Sequence, residues 1–277
     1  MTTISDTRAR REHLAVLLSS IAALLLSFVF PQTSQASPVL EEPDGSLNRA
    51  TYALKAVVDA ARAQFASPAI ADLDHDQYQE IVIGSIDGRV IAVKPNTTSG
   101  TVLWSFDTAA AINARARIQS GATIRAAPAI ADLDGDGWNE VIVAVGDITS
   151  VNENGGMIVL SHDGKLKTGW PQLTYDKYDP GYTEGIGTPP TVADLDNDGD
   201  LEIIAGTWDH RVYAWHHDGT WVKGWPQHVF DTVWSSPSVG DLDHDGQLEV
   251  IVGVDAHRDP YFGSIDGGAL YVFRADG

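Results

Sequence analysis

Asp194 to Glu202 reads DLDNDGDLE and runs directly into the apolar stretch Ile203-Ile204-Ala205. The same grammar stands at Asp72 (DLDHDQYQE), Asp132 (DLDGDGWNE) and Asp241 (DLDHDGQLE). Those copies run into Ile81-Val82-Ile83, Val141-Ile142-Val143 and Val250-Ile251-Val252. Carboxylates occupy positions 1, 3, 5 and 9 every time. Four negative groups in one short loop repel each other, and a bound cation is the expected remedy. The runs that follow are short, β-branched and bounded by Gly, Asp and Pro, so they read as strands.

Around each loop the chain repeats a longer unit. The loops start 60, 62 and 47 residues apart. A small residue and a proline open each unit: Ser67-Pro68, Ala127-Pro128, Pro189-Pro190, Ser236-Pro237. After the first β-branched run comes a second one: Arg89 to Val93, Met157 to Leu160, Arg211 to Trp215, Ala269 to Phe273. A fourth segment is carried by Val102 to Phe106, and later lies near Gly169-Trp170-Pro171 and Gly224-Trp225-Pro226. Four short strands per unit of about 45–60 residues is the period of a propeller blade. The expected fold is all-β, a β-propeller over residues 65–277 with about four four-stranded blades starting near 65, 125, 187 and 234. Residues 37–64 read as a linker or an incomplete first blade, with Ala50 to Phe65 rich in alanine. The sequence stops at Asp276-Gly277, equivalent to Asp218-Gly219 inside the third unit. A truncated propeller is therefore expected, with four-bladed closure or pairing with another chain as alternatives.

Residues 1–36 read as an export signal. Arg8, Arg10 and Arg11 precede an apolar run from Leu14 to Phe30, and Ser34-Gln35-Ala36 offers small residues for cleavage. An uncleaved membrane anchor is the alternative reading. Secretion, or a cell-surface or periplasmic location, is the expectation.

The formal charge of −20 argues against nucleic acid and against an anionic membrane surface as partners. Cysteine is absent, which excludes disulfides, thiolate metal sites and cysteine nucleophiles. Nor does any Ser/His/Asp arrangement, phosphate loop or glycosidase carboxylate pair stand out, so no catalysis is expected.

Calcium takes six to eight oxygens at about 2.3–2.6 Å, and the loops are oxygen-rich. The expected ligands are Asp72, Asp74, Asp76 and Glu80; Asp132, Asp134, Asp136 and Glu140; Asp194, Asp196, Asp198 and Glu202; and Asp241, Asp243, Asp245 and Glu249. Backbone carbonyls at position 7 would come from Tyr78, Trp138, Asp200 and Gln247, giving about four Ca²⁺ sites. Position 6 calls for glycine, because the turn needs positive φ. Gly137, Gly199 and Gly246 comply and Gln77 does not, so the first site should be the weakest or the most distorted. An EF-hand is excluded: its position 12 needs Glu, and here it is Ile83, Val143, Ala205 or Val252.

These residues carry a resemblance. The pattern D-x-D-x-D-G-x-x-[DE] before an apolar strand, recurring at blade spacing, is similar to the FG-GAP/VCBS repeats of bacterial secreted proteins and of the integrin α-subunit propeller. Phe262-Gly263 and Gly268-Ala269-Leu270-Tyr271-Val272-Phe273 in the fourth unit carry it furthest. Gln77, and Glu in place of the commoner Asp at position 9, depart from it. The resemblance implies a calcium-stabilised propeller whose loop face binds a ligand. Asp87-Gly88-Arg89-Val90-Ile91-Ala92-Val93, with Gly100 and Val102-Leu103-Trp104, also resembles the repeat of quinoprotein dehydrogenases. It occurs once and reads as shared blade grammar.

Antiparallel strands place successive turns at alternate ends. The acidic loops (strands 1–2) and the 3–4 turns should share one face, with the 2–3 and 4–1 loops opposite. Long loops there suggest a protein or glycan ligand contacted by Arg115, Arg117, Arg125, Tyr175, Tyr178, Tyr182, His257, Arg258 and Tyr261. Trp104, Trp170, Trp215, Trp225 and Trp234 read as equivalent blade positions used for packing. The functional expectation is an exported, calcium-binding, non-catalytic propeller scaffold for binding or adhesion. The alternatives are an accessory domain of a larger secreted enzyme, such as a polysaccharide lyase or protease, and a surface spacer.

Overall fold

Each β-branched run follows its acidic loop as the second strand of an antiparallel meander. The computed structural model describes residues 66–95, 100–115, 122–146, 155–174, 185–256 and 267–277. All of these lie in the unit Ala50–Gly277. The expected export signal and the 37–64 linker fall outside the described residues. The first sheet holds β1 (Ala69–Ala71), β2 (Glu80–Gly84), β3 (Arg89–Pro95) and β4 (Gly100–Asp107). The second holds β5 (Ala129–Ala131), β6 (Glu140–Val145), β7 (Gly156–Leu160) and β8 (Gln172–Leu173). The third holds β9 (Thr191–Ala193), β10 (Glu202–Gly206), β11 (Arg211–Trp215) and β12 (Gln227–His228). The fourth has three strands among the described residues, β13 (Ser238–Gly240), β14 (Glu249–Ala256) and β15 (Gly267–Arg274). The first strands neighbour one another in order, β1 with β5, β5 with β9 and β9 with β13. The sheets therefore radiate as blades of a β-propeller.

The core lies between blades. Val82, Val90 and Ala92 of the first blade meet Val141, Val143, Val145, Ile158 and Leu160 of the second. Ile142, Ala144, Met157 and Val159 turn the other way, toward Ile203, Ala205, Tyr213 and Trp215 of the third. Ile204, Val212 and Ala214 then meet Val250, Val252 and Val254 of the fourth. Successive side chains point to opposite sheet faces, and both faces of a middle blade are covered. This is why β6 and β7 are buried at every residue and read as unbroken apolar runs. Each such Val, Leu or Ile contributes about 1.5–3 kcal/mol by burial.

One indole latches each seam. Trp104 Nε1 donates to the carbonyl of His162, Trp170 Nε1 to that of His217, and Trp225 Nε1 to that of Ala275, all at 2.8–2.9 Å. Each acceptor sits in the turn after the third strand of the next blade, just before Asp163-Gly164, Asp218-Gly219 or Asp276-Gly277. Those glycines have φ of 79°, 82° and 87°. A Cβ on Gly164 would strike the Trp104 ring, so the latch needs glycine twice over. The expected equivalence of five tryptophans narrows to these three. Trp215 is a buried β11 residue stacked 5.0 Å from Tyr213. Trp234 is 51% exposed and tilts against Trp208 at 4.2 Å.

The stretch after β4, expected as open loop, begins with a helix, α1 (Thr108–Arg115). Asp107 caps it, its Oδ1 accepting the N–H groups of Ala109 (3.0 Å) and Ala110 (3.4 Å). Ile112 enters the first core, and the Thr108 hydroxyl donates to the carbonyls of Gly88 and Ala122. Arg115 donates to the carbonyls of Gly169 (3.2 Å) and Pro171 (2.8 Å) of the second blade. Arg115, an expected ligand contact, thereby also holds the helix against its neighbour.

Candidate metal centre

The four acidic loops share one backbone. In each, the position 9 glutamate begins the second strand and turns one oxygen back to the position 2 N–H. Glu80 Oε2 accepts from Leu73, Glu140 Oε2 from Leu133, Glu202 Oε2 from Leu195 and Glu249 Oε2 from Leu242, at 2.7–2.9 Å. The position 5 aspartate accepts from the position 7 N–H: Asp76 from Tyr78, Asp136 from Trp138, Asp198 from Asp200 and Asp245 from Gln247. Asp72, Asp132 and Asp241 accept from the N–H of position 6, and Asp194 from that of position 5. Asp72 and Asp132 thus spend one oxygen on tightening the loop and leave Oδ1 buried without a partner, whereas Asp241 accepts with both oxygens, its Oδ1 taking the Asp245 N–H.

Two residues per loop are left-handed. Position 6 has φ of 75° at Gln77 and 87–101° at Gly137, Gly199 and Gly246. Position 4 has φ of 58–67° at His75, Gly135, Asn197 and His244. The expected distortion at Gln77 does not occur. Its N–H keeps the bond to Asp72 (2.9 Å) that Gly137 makes to Asp132 (3.0 Å), and the cost is local strain.

The interior oxygens converge. Ligand atoms within 4.8 Å of one another group Asp72, Asp74 and Glu80; Asp132, Asp134 and Asp136; Asp194, Asp196 and Glu202; and Asp241, Asp243 and Glu249. Asp76, Glu140 and Asp245 stand outside these sets, while Asp198 joins Asp196 in a second set completed by His216. Asp72 Oδ1, Glu80 Oε1, Asp132 Oδ1 and Asp134 Oδ1 are buried without a hydrogen-bond partner. A buried carboxylate oxygen without a partner is costly. Burial pushes the carboxyls of Glu80, Glu140 and Glu202 above their ordinary value. Convergent, partly buried, all-oxygen sets fit a hard divalent cation.

Three basic side chains enter these loops that the pattern of acids did not point to. Lys94 Nζ lies 2.6 Å from Asp74 Oδ2, also binds Asp76, and stands 3.7 Å from Glu80 Oε1. Lys167 Nζ lies 2.7 Å from Asp134 and 2.8 Å from Glu140. His216 Nδ1 lies 3.1 Å from Glu202 Oε1. The Lys94 hydrogen bond holds Asp76 below the usual carboxylate range. Burial opposes ionisation of Asp134, but the Lys167 bond and charge outweigh it and bring Asp134 down. A register signal existed. Strand pairing puts Val93 opposite Ile81, Trp215 opposite Ile203 and Arg274 opposite Glu249. The next residues along, Lys94 and His216, therefore face Glu80 and Glu202.

Neighbouring loops are also stitched together. Asn139 donates to the Asp72 carbonyl (3.3 Å), Leu201 N–H to that of Leu133 (2.9 Å), and Asn197 to Gln247 Oε1 (3.3 Å). The Trp138 ring is stacked between His75 (3.9 Å) and His162 (4.0 Å). On the opposite face the 2–3 and 4–1 loops bond to each other, Ile124 N–H to the Ser85 carbonyl and Val233 N–H to that of Thr207. Arg125 is half-buried there. Arg117, Tyr175, Tyr178, Tyr182, His257, Arg258 and Tyr261 lie outside the described residues.

Residues 132–205 and 194–252 match the model of the FG-GAP-like repeat. No curated protein sequence matches the chain. Among solved structures, the chain is similar to the C-terminal domain of Pseudomonas aeruginosa PilY1, with a TM-score of 0.49 and 14% identity over 75% of this chain and 47% of that one. It is also similar to the V. cholerae biofilm matrix protein Bap1, with a TM-score of 0.37 and 21% identity over 77% of this chain and 38% of that one. For the quinohemoprotein alcohol dehydrogenase from Comamonas testosteroni, the TM-score is 0.43 and the identity 15% over 65% of this chain and 31% of that one. The chain spans less than half the length of each of these three.

Proposed function

For this FG-GAP repeat protein, we propose that the acidic loops bind calcium and that the propeller is an exported, non-catalytic scaffold for protein or glycan binding. The observation that carries the reading is the repeated convergence of three carboxylate oxygens, with buried unpartnered oxygens at Asp72, Glu80, Asp132 and Asp134. Asp72, Asp74 and Glu80 would hold the ion in the first loop, and Asp132, Asp134 and Asp136 in the second. Asp194, Asp196 and Glu202 would serve in the third, and Asp241, Asp243 and Glu249 in the fourth. The ion would supply charge neutralisation and crosslinking, not reaction chemistry. Extracellular modules bind calcium at about 10⁻⁴–10⁻³ M, which suits the expected location.

The four loops begin at the inner strands and are stitched blade to blade, so a filled loop stiffens the frame that carries the opposite loops. Ligand binding belongs on that opposite face, where the 4–1 and 2–3 loops are longest. The test is calorimetric titration with calcium chloride, followed by glycan-array and pull-down screens in calcium and in chelator. Saturable binding of calcium at the loops, and a glycan or protein captured only in calcium, would support the reading. No binding of calcium at any loop would refute the metal part of it. A calcium-loaded protein that captures nothing would favour a spacer.

A further inference from the structure

We propose that Lys94 and Lys167 are built-in counter-cations of the first two loops, so that calcium loads the third and fourth loops first. The inference rests on the calcium reading above and names its order and regulation. Each ammonium sits among the carboxylates that would coordinate the ion, and both side chains are largely withdrawn from solvent, at 28% and 22% exposure. Lys94 reaches Asp74, Asp76 and Glu80 from the end of β3. In the second blade the equivalent position is Ser161, and the cation comes instead from the 3–4 turn as Lys167, on Asp134 and Glu140. Two different positions in the blade thus deliver the same group to the same place.

The other two loops differ: the register position of Lys94 is held by His216 in the third and by Arg274, opposite Glu249, in the fourth, and the Arg274 guanidinium makes no ion pair with the described loop carboxylates. Among the described residues, no lysine or arginine pairs with a carboxylate of the third or fourth loop; His216 on Glu202 and His217 on Asp200 (3.3 Å) are the contacts there. A cavity of about 330 Å³ opens beside them, lined by Asp196, Lys223, Gln247, Glu249 and Arg274. A divalent ion entering the first or second loop must displace a tethered ammonium already inside it. An ammonium present nine-tenths of the time weakens the apparent affinity about tenfold. The same lysines offset part of their loops' negative charge when metal is scarce, so the first two blades keep their loops folded without it.

The experiment is calorimetric titration of the full chain with calcium chloride, comparing the native protein with Lys94→Met, Lys167→Met and the double variant. Lys165→Met is the control, because that ammonium pairs with Asp163 (2.6 Å) outside the loops. The native protein and the control should bind about two ions tightly. Each single variant should gain one site, tightened about tenfold or more, and the double variant two. Four equal sites in the native protein, or unchanged stoichiometry and affinity in the variants, would overturn the proposal. Absence of heat in every protein would reject the calcium reading itself. In that event melting of metal-free protein decides the lysine role. A lower midpoint in Lys94→Met and Lys167→Met than in the control sustains it, and equal midpoints overturn it.

Discussion

In the first acidic loop an ammonium from Lys94 sits among the carboxylates, whereas in the third the same register position holds His216, against Glu202. The backbones agree: both carry left-handed residues at positions 4 and 6, and both fold the position 9 glutamate onto the position 2 N–H. What differs is the source of positive charge. Loop shape is set by local hydrogen bonds, and the balancing cation is a separate choice that each blade makes with its own third strand or 3–4 turn. A repeat identical in its acids is therefore not identical in its dependence on metal.

The comparison can be tested from both sides. The largest effect is expected where the cation should not matter. Trp170→Ala removes a buried indole and its bond to the next blade, and should cost about 3–5 kcal/mol with or without calcium. A cost that vanishes in chelator would mean that the seams depend on the metal. Calcium at about a hundred times its dissociation constant should add about 2.7 kcal/mol per filled site. Hydrogen exchange in chelator should then quicken at Asp194–Glu202 and Asp241–Glu249, and much less at Asp72–Glu80 and Asp132–Glu140. Uniform quickening would erase the distinction between loops.

A smaller effect is expected from pH. Burial raises Glu80, Glu140 and Glu202 above the ordinary 4.5, so the folded metal-free protein keeps protons that the unfolded chain has released. The associated stability is present below 4.5 and is lost as pH rises through the folded values. The midpoint of metal-free protein should rise on going from about pH 7 to about pH 5, and a fall over that range would contradict it. The smallest change is Gln77→Gly. It relieves a left-handed non-glycine residue and should stabilise the protein by up to about 1 kcal/mol, against a further loss of unfolded-state order. A melting midpoint lowered by this substitution would show that the Gln77 side chain contributes more than its strain costs.

Much of this molecule was legible before any coordinates. Blade spacing followed from the recurrence of the acidic loops, because each loop must join two strands of fixed length. The placement of the loops and the 3–4 turns on one face followed from antiparallel alternation. The helix after β4 was missed, although Asp107 before Thr108-Ala109-Ala110-Ala111 is a capping signal followed by good helix formers. Trp234 was misread because a tryptophan announces burial without saying which surface buries it. Lys94, Lys167 and His216 are not marked by the carboxylate pattern, because their neighbours depend on strand register.

The order of residues alone determined the number of loops, the strands around them and the unbroken apolar runs of the middle blade. Those properties arise from short-range chemistry: side-chain alternation, turn preferences and repulsion among adjacent carboxylates. Only the tertiary arrangement decided which aspartate oxygens stay unpartnered, which indoles latch which turn, and which loops receive an ammonium. Lys167 and Asp134 are far apart along the chain, and their 2.7 Å contact exists only because antiparallel pairing brings the 3–4 turn of a blade back over its own acidic loop. Contacts of that kind depend on register and side-chain reach, which no local pattern encodes.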